Sequence, residues 1–130
     1  MTVINARHGL NPSRTVFLGY SNGANLLSSV MLLHPGLISC AVLLRAMPVL
    51  NDESAADLSS SDLLVIAGER DETYAPFAPA LVRLLRAHGA RVAVFAVPLG
   101  HEFGAEDARI ARDWLAIAGH TNVAQRTIAG

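Results

Sequence analysis

The chain has 130 residues, 52% of them hydrophobic and 16% charged, with a formal net charge of −1. That length suits one domain spanning residues 1–130, and the apolar content can fill a core, which excludes disorder. The near-neutral charge without a basic cluster argues against a nucleic-acid surface. Because Ser, His, Pro, Arg or Gly interrupts every apolar run, none approaches the roughly 18 residues of a membrane span.

Val3 to His8 has mild helical character, and Asn11-Pro12 marks a turn. Met1 to Arg14 lacks a basic stretch followed by an apolar one, so no secretory leader is expected. Thr15 to Tyr20 reads as the first strand, apolar almost throughout, as a parallel strand buried on both faces would be. The next run, Ala24 to His34, carries Leu26, Leu27, Val30, Met31 and Leu33 at helical spacing and is stopped by Pro35-Gly36. Cys40 to Leu44 is a second apolar strand, which the chain leaves through Arg45 and Met47-Pro48. The polar, serine-rich stretch Asn51 to Ser61 reads as a surface loop, placed to border the mouth of a site. Leu63 to Ala67 is the third strand and ends at Gly68. Phe77 to His88 is an amphipathic helix, with Leu81, Leu84 and Leu85 inward and Arg83 and Arg86 outward, closed by a left-handed Gly89. Arg91 to Val97 is the fourth strand, and Ala105 to Ala118 a closing helix with Ile110, Trp114 and Leu115 apolar. Thr121 to Gly130 has no pattern and reads as a frayed tail. Strands alternating with helices give an α/β fold, a mainly parallel sheet of about four strands with flanking helices. The lone Cys40 can form no disulfide within the chain; it reads as a small buried hydrophobe and suits a reducing cytoplasm.

Chemistry concentrates where the strands end. Gly19-Tyr20-Ser21-Asn22-Gly23 fits G-x-S-x-G with a strand before it and a helix after it. In that context the motif presents a serine on a strained turn, with glycines where the strand and helix backbones cross closely. Two further segments follow strands, Gly68-Glu69-Arg70-Asp71 after the third and Gly100-His101-Glu102 after the fourth. Open α/β sheets place functional groups at such carboxyl ends, so Ser21, Asp71 and His101 can converge. A serine hydroxyl needs a base to take its proton, a base needs an orienting carboxylate, and these three residues supply the catalytic roles in chain order Ser, Asp, His. The Asn22 backbone N–H, at the helix N-terminus, is positioned to meet an oxyanion. Tyr20, Asn22 and Phe103 are candidate pocket neighbours. Glu69 and Glu72 compete with Asp71 for the carboxylate role. Of the five histidines, His34 and His88 read as helix C-terminal residues, and His8 and His120 fall in loops or tails. Neither H-x-x-x-H nor C-x-x-C occurs, so no metal site is expected.

These segments, together with Leu32-Leu33-His34-Pro35-Gly36-Leu37, Ala41-Val42-Leu43-Leu44-Arg45 and Leu84-Leu85-Arg86-Ala87-His88-Gly89-Ala90, resemble the phospholipase/carboxylesterase family of α/β-hydrolases. The likeness runs from Ser13 to Trp114 and is to the small bacterial carboxylesterases in particular. It implies hydrolysis of a small-molecule carboxylic ester or thioester through an acyl-enzyme, with no cofactor. It also implies that the chain matches the C-terminal half of the family fold, because counterparts of the family's first four strands are absent. With them goes the loop that supplies a second oxyanion donor. On this reading the Thr15–Tyr20 strand is an open apolar edge, an association hazard. The alternative function is therefore a catalytically impaired half-domain that forms a homo-oligomer through that edge.

Overall fold

A computed structural model describes residues 15–48, 56–117 and 124–129. The elements run β1 (Thr15–Tyr20), α1 (Asn22–Leu33), β2 (Cys40–Leu44), β3 (Asp62–Gly68), a short 3-10 turn (Ala75–Phe77), α2 (Ala78–Ala87), β4 (Arg91–Val97), α3 (Ala105–Ile117) and β5 (Ala124–Ala129). Among the described residues the strands form one five-stranded sheet in the order β4-β3-β2-β1-β5, and every neighbouring pair is parallel. The helical character expected of Val3 to His8 falls outside the described residues.

The continuous apolar runs of β2 and β3 follow from their central position, with a helical layer over each face. One face carries Phe17, Ala41, Leu43, Leu63 and Val65, which pack with Leu27 and Met31 of α1 and Leu81 and Leu85 of α2. The other carries Val16, Cys40, Val42, Leu44, Leu64 and Ile66, which pack with Ile110, Ala111 and Leu115 of α3. Alternation along each strand assigns these side chains to their faces, so the register that fills both cores also fixes where each strand ends. Burial, with the nearby Asp62 carboxylate, pushes the Cys40 thiol up to about 12, and this cysteine packs as a small hydrophobe. Gly89, at φ 98°, closes α2 in the left-handed conformation expected of it.

Two expectations need correction. Residues within the expected frayed tail, Ala124–Ala129, form a strand that pairs with β1 from Thr15↔Ala124 to Tyr20↔Ala129. Its residues show no useful periodicity because the pairing answers a backbone demand, the unpaired N–H and C=O groups along the edge of β1. The edge expected to be open is thus covered within the chain, and the argument for self-association through it loses its basis. The second correction concerns Asn51 to Ser61. Residues 51–55 lie outside the described residues, but Leu58 and Ser61 are fully buried. The Leu58 amide donates to His88 O at 2.7 Å, and Ser61 Oγ donates to Ile38 O at 2.8 Å. Residues 56–61 therefore close the amino ends of the strands, opposite the segments that carry the candidate site. Serines satisfied by buried carbonyls look the same in composition as solvated ones.

Candidate active site

The site is laid out by three strand exits. Just beyond each strand, a backbone amide donates to the neighbouring strand: Ser21 N to Leu44 O at 2.8 Å, Arg45 N to Ile66 O at 3.0 Å, and Glu69 N to Val97 O at 2.8 Å. Each turn is therefore pinned to the next strand before it departs.

At the first exit Ser21 has φ 58° and ψ −120°, a left-handed backbone unusual for a residue with a side chain. The turn that follows β1 leads at once into α1. A Cβ on Gly19 would lie 2.7 Å from Leu27 Cδ1 and 2.8 Å from both Ala24 N and Ala24 Cα. The expected glycine at this crossing is thus required by the helix backbone. Asn25, buried one turn into α1, accepts the Met47 amide at 2.9 Å on its Oδ1, which ties the segment leaving β2 to the same helix.

Ser21, His101 and Asp71 meet. Ser21 Oγ lies 2.7 Å from His101 Nε2, and His101 Nδ1 lies 2.7 Å from Asp71 Oδ2. Asp71 is almost fully buried and its other oxygen accepts the Tyr74 amide at 3.1 Å. Burial pushes the Asp71 carboxyl upward. The hydrogen bond from His101, followed by those from the Tyr74 and Thr73 amides and the charge of His101, outweighs it, so the carboxyl lies below its ordinary range. A carboxylate can only accept, so the proton between these two residues belongs to His101 Nδ1, which leaves Nε2 to accept from Ser21. Glu69 and Glu72, the competing carboxylates, are exposed.

Aromatic rings surround the imidazole. Tyr20 O–H donates to the His101 carbonyl at 2.8 Å, and its ring stands edge-on to Phe103 with centroids 5.3 Å apart. Phe103 is 59% exposed, an apolar ring open to a ligand. Tyr74, which sequence reasoning did not single out, lies closer to His101 than Tyr20 does, with ring centroids 4.5 Å apart against 5.4 Å. Its hydroxyl comes within 3.4 Å of Asn22 Oδ1. The signal for Tyr74 was its place three residues after Asp71, in the turn that hydrogen-bonds back to that carboxylate. Asn22 opens α1, whose first-turn amides have no acceptor within the helix and point toward the serine end. A separate groove of about 640 Å³ between α2 and β4, lined by Ala78, Pro79, Val82 and Phe95, includes none of Ser21, Asp71 or His101. Among the described residues no group of three or more His, Cys, Asp or Glu side chains could hold a metal ion, and no helix is long and apolar enough to cross a membrane.

A solved carboxylesterase from Mesorhizobium loti is 58% identical to the chain, with a TM-score of 0.83 over 86% of this chain and 54% of its own. Over most of its length the chain is similar to carboxylesterases of the α/β-hydrolase fold. A Bacillus cereus carboxylesterase shares the fold, at TM-score 0.81 and 24% identity over 88% of this chain and 54% of its own. In Bacillus subtilis the protein MhqD, which carries a provisional hydrolase name, is 29% identical over 108 residues, 82% of this chain and 54% of the relative. The chain spans about half the length of these relatives, 54% in each case. No protein-family model matches it.

Proposed function

We propose that this carboxylesterase-type chain hydrolyses small carboxylic esters or thioesters through an acyl-enzyme on Ser21. The observation that carries the reading is the unbroken hydrogen-bonded line Ser21 Oγ–His101 Nε2 and His101 Nδ1–Asp71 Oδ2, 2.7 Å at each link. In the proposed sequence Ser21 Oγ attacks the ester carbonyl as His101 Nε2 takes its proton. The tetrahedral oxyanion is met by the Asn22 N–H and the positive end of α1. Collapse breaks the bond to the leaving alcohol or thiol, which takes the proton from His101. Water then enters, gives a proton to His101 and its oxygen to the acyl carbon, and releases the acid with Ser21 restored. Asp71 keeps the imidazole in the tautomer that can accept at Nε2 and stabilises the imidazolium. Tyr20, Tyr74 and Phe103 form the wall for the acyl or alcohol group. The buried Cys40 is compatible with a cytoplasmic setting.

The test is p-nitrophenyl butyrate hydrolysis and fluorophosphonate labelling beside Ser21→Ala. Serine loss in a hydrolase of this type costs on the order of 10⁶-fold in turnover, so hydrolysis and labelling should both vanish. Equal rates from two folded proteins would overturn the reading.

A further inference from the structure

Arg45 is the first residue after β2 and one of the most deeply buried side chains in the described structure, with its side chain 0% exposed. It also takes a left-handed backbone, φ 56°. Its guanidinium is fully occupied, with Nη1 also 3.4 Å from Ile66 O. Nε donates to Gly100 O at 3.0 Å and Nη2 to Glu102 O at 2.7 Å. Nη1 and Nη2 donate to the two carboxylate oxygens of Asp107 at 2.8 and 2.9 Å, a bidentate pair. Gly100 and Glu102 are the residues on either side of His101. The carbonyl between them, that of His101 itself, is held by Tyr20 O–H at 2.8 Å. Three consecutive carbonyls of the loop that carries the imidazole are thus fixed by two side chains from the exits of β1 and β2.

Burial of an arginine–carboxylate pair is a poor way to gain stability. Well-packed apolar residues of similar volume usually serve the fold as well or better. What apolar residues cannot do is fix the direction of two carbonyls, and the planar five-donor fork of arginine can. The surroundings leave the fork no freedom. A Cβ on Gly68 would stand 2.2 Å from Gly100 O and 2.9 Å from Arg45 Nε, so this glycine admits both the loop and the guanidinium. Asp107, which anchors the other side of the fork, also accepts the Gly104 amide at 2.9 Å and so ties the start of α3 to the same cluster.

We propose that Arg45 is a positioning residue for His101, setting the Gly100–Glu102 backbone so that Nε2 stays within reach of Ser21 Oγ. This rests on the reading of His101 as the general base. Arg45 itself touches none of Ser21, Asp71 or a reacting atom; it acts through the loop.

The experiment measures kcat and KM for p-nitrophenyl butyrate with Arg45→Met, Arg45→Lys and Asp107→Asn, each checked for folding by circular dichroism. A misplacement of about 1 Å costs on the order of 10²-fold, so Arg45→Met should lower kcat by that factor with KM changed by less than about threefold. Arg45→Lys should recover part of the loss, since an ammonium still pairs with Asp107 but cannot span both carbonyls. Folded Arg45 variants with wild-type kcat, or with KM alone altered, overturn the proposal. If Arg45→Met fails to fold, Arg45→Lys and Asp107→Asn decide it by the same criterion. An NMR readout separates this proposal from the reading beneath it. If wild type itself shows no Ser21-dependent turnover, the hydrolase reading fails, while the His101 Nδ1 proton still reports position. Loss or displacement of that resonance in Arg45→Lys supports the positioning role, and an identical resonance in both proteins overturns it.

Discussion

The two ends of the sheet solve the same backbone problem with different residues. At the amino ends, the turns that lead into β2 and β4 take the left-handed conformation at Gly36 (φ 92°) and Gly89 (φ 98°). At the carboxyl ends, the turns that leave β1 and β2 take it at Ser21 (φ 58°) and Arg45 (φ 56°). Glycine adopts this region without steric cost, whereas a residue with a Cβ does not. The amino ends are relaxed, and the carboxyl ends keep strain in order to keep two side chains. Buried charge divides in the same way, with Arg45, Asp71 and Asp107 all among the buried residues beside the carboxyl ends. The exposed pair of Arg91 and Asp62 ties the amino ends. Strain and buried charge mark where the backbone serves something other than its own stability.

Substitutions at the two ends can break or sharpen this contrast. Beyond the loss of Ser21 already described, the largest effect belongs to Asp71→Asn, which should lower kcat by about 10⁴-fold by favouring the wrong imidazole tautomer. The same variant tests the carboxyl electrostatically. The folded-state pKa of Asp71 is depressed, so its contribution to stability is present above the unfolded carboxyl value and lost as pH falls through the folded one. The gap in urea midpoint between wild type and Asp71→Asn should therefore narrow from about pH 5 to about pH 3; a constant gap would contradict it. Next comes Gly19→Ala, which forces a methyl onto the Ala24 backbone and should cost about 1–3 kcal/mol in urea unfolding. Smaller again is the comparison of two inactive proteins. Ser21→Gly should be more stable than Ser21→Ala by about 1 kcal/mol, because only alanine bears the left-handed strain. The reverse order would mean that the turn is unstrained. Arg91→Ala, at the exposed amino-end pair, should leave both the melting temperature and turnover unchanged, as expected for surface ion pairs.

Much of this was legible beforehand. Apolar runs bounded by glycine and proline gave the four strands β1 to β4 and the three helices, because both faces of the central strands are covered and their composition says so. That Ser21, Asp71 and His101 would lie together was legible because each stands just after a strand, and parallel topology brings strand ends to one side. Three things escaped. Arg45 looked like a residue leaving a strand, and nothing local reveals that its partners Gly100, Glu102 and Asp107 lie 55 to 62 positions further on. The signal was one: a lone cation ending a wholly apolar strand. Tyr74 was hidden in a turn whose folding depends on Asp71. The strand β5 was invisible because its partner is a backbone edge, and edges leave no trace in side-chain periodicity.

The three pinned exits have a consequence for how this chain can change in length. Because Ser21, Arg45 and Glu69 each hang from a carbonyl of the next strand, distances in the site are counted out in strand residues, at roughly 3.3 Å apiece. A codon gained or lost inside β2 would carry Arg45 past Gly100 and turn alternate side chains to the wrong face. The same codon in the turn at Gly36, where an added Cβ would meet nothing within 4 Å, would be absorbed before it reached the first pin. Tolerance to insertion should therefore fall to nothing within the strands and reappear between them, a ruler built into the gene.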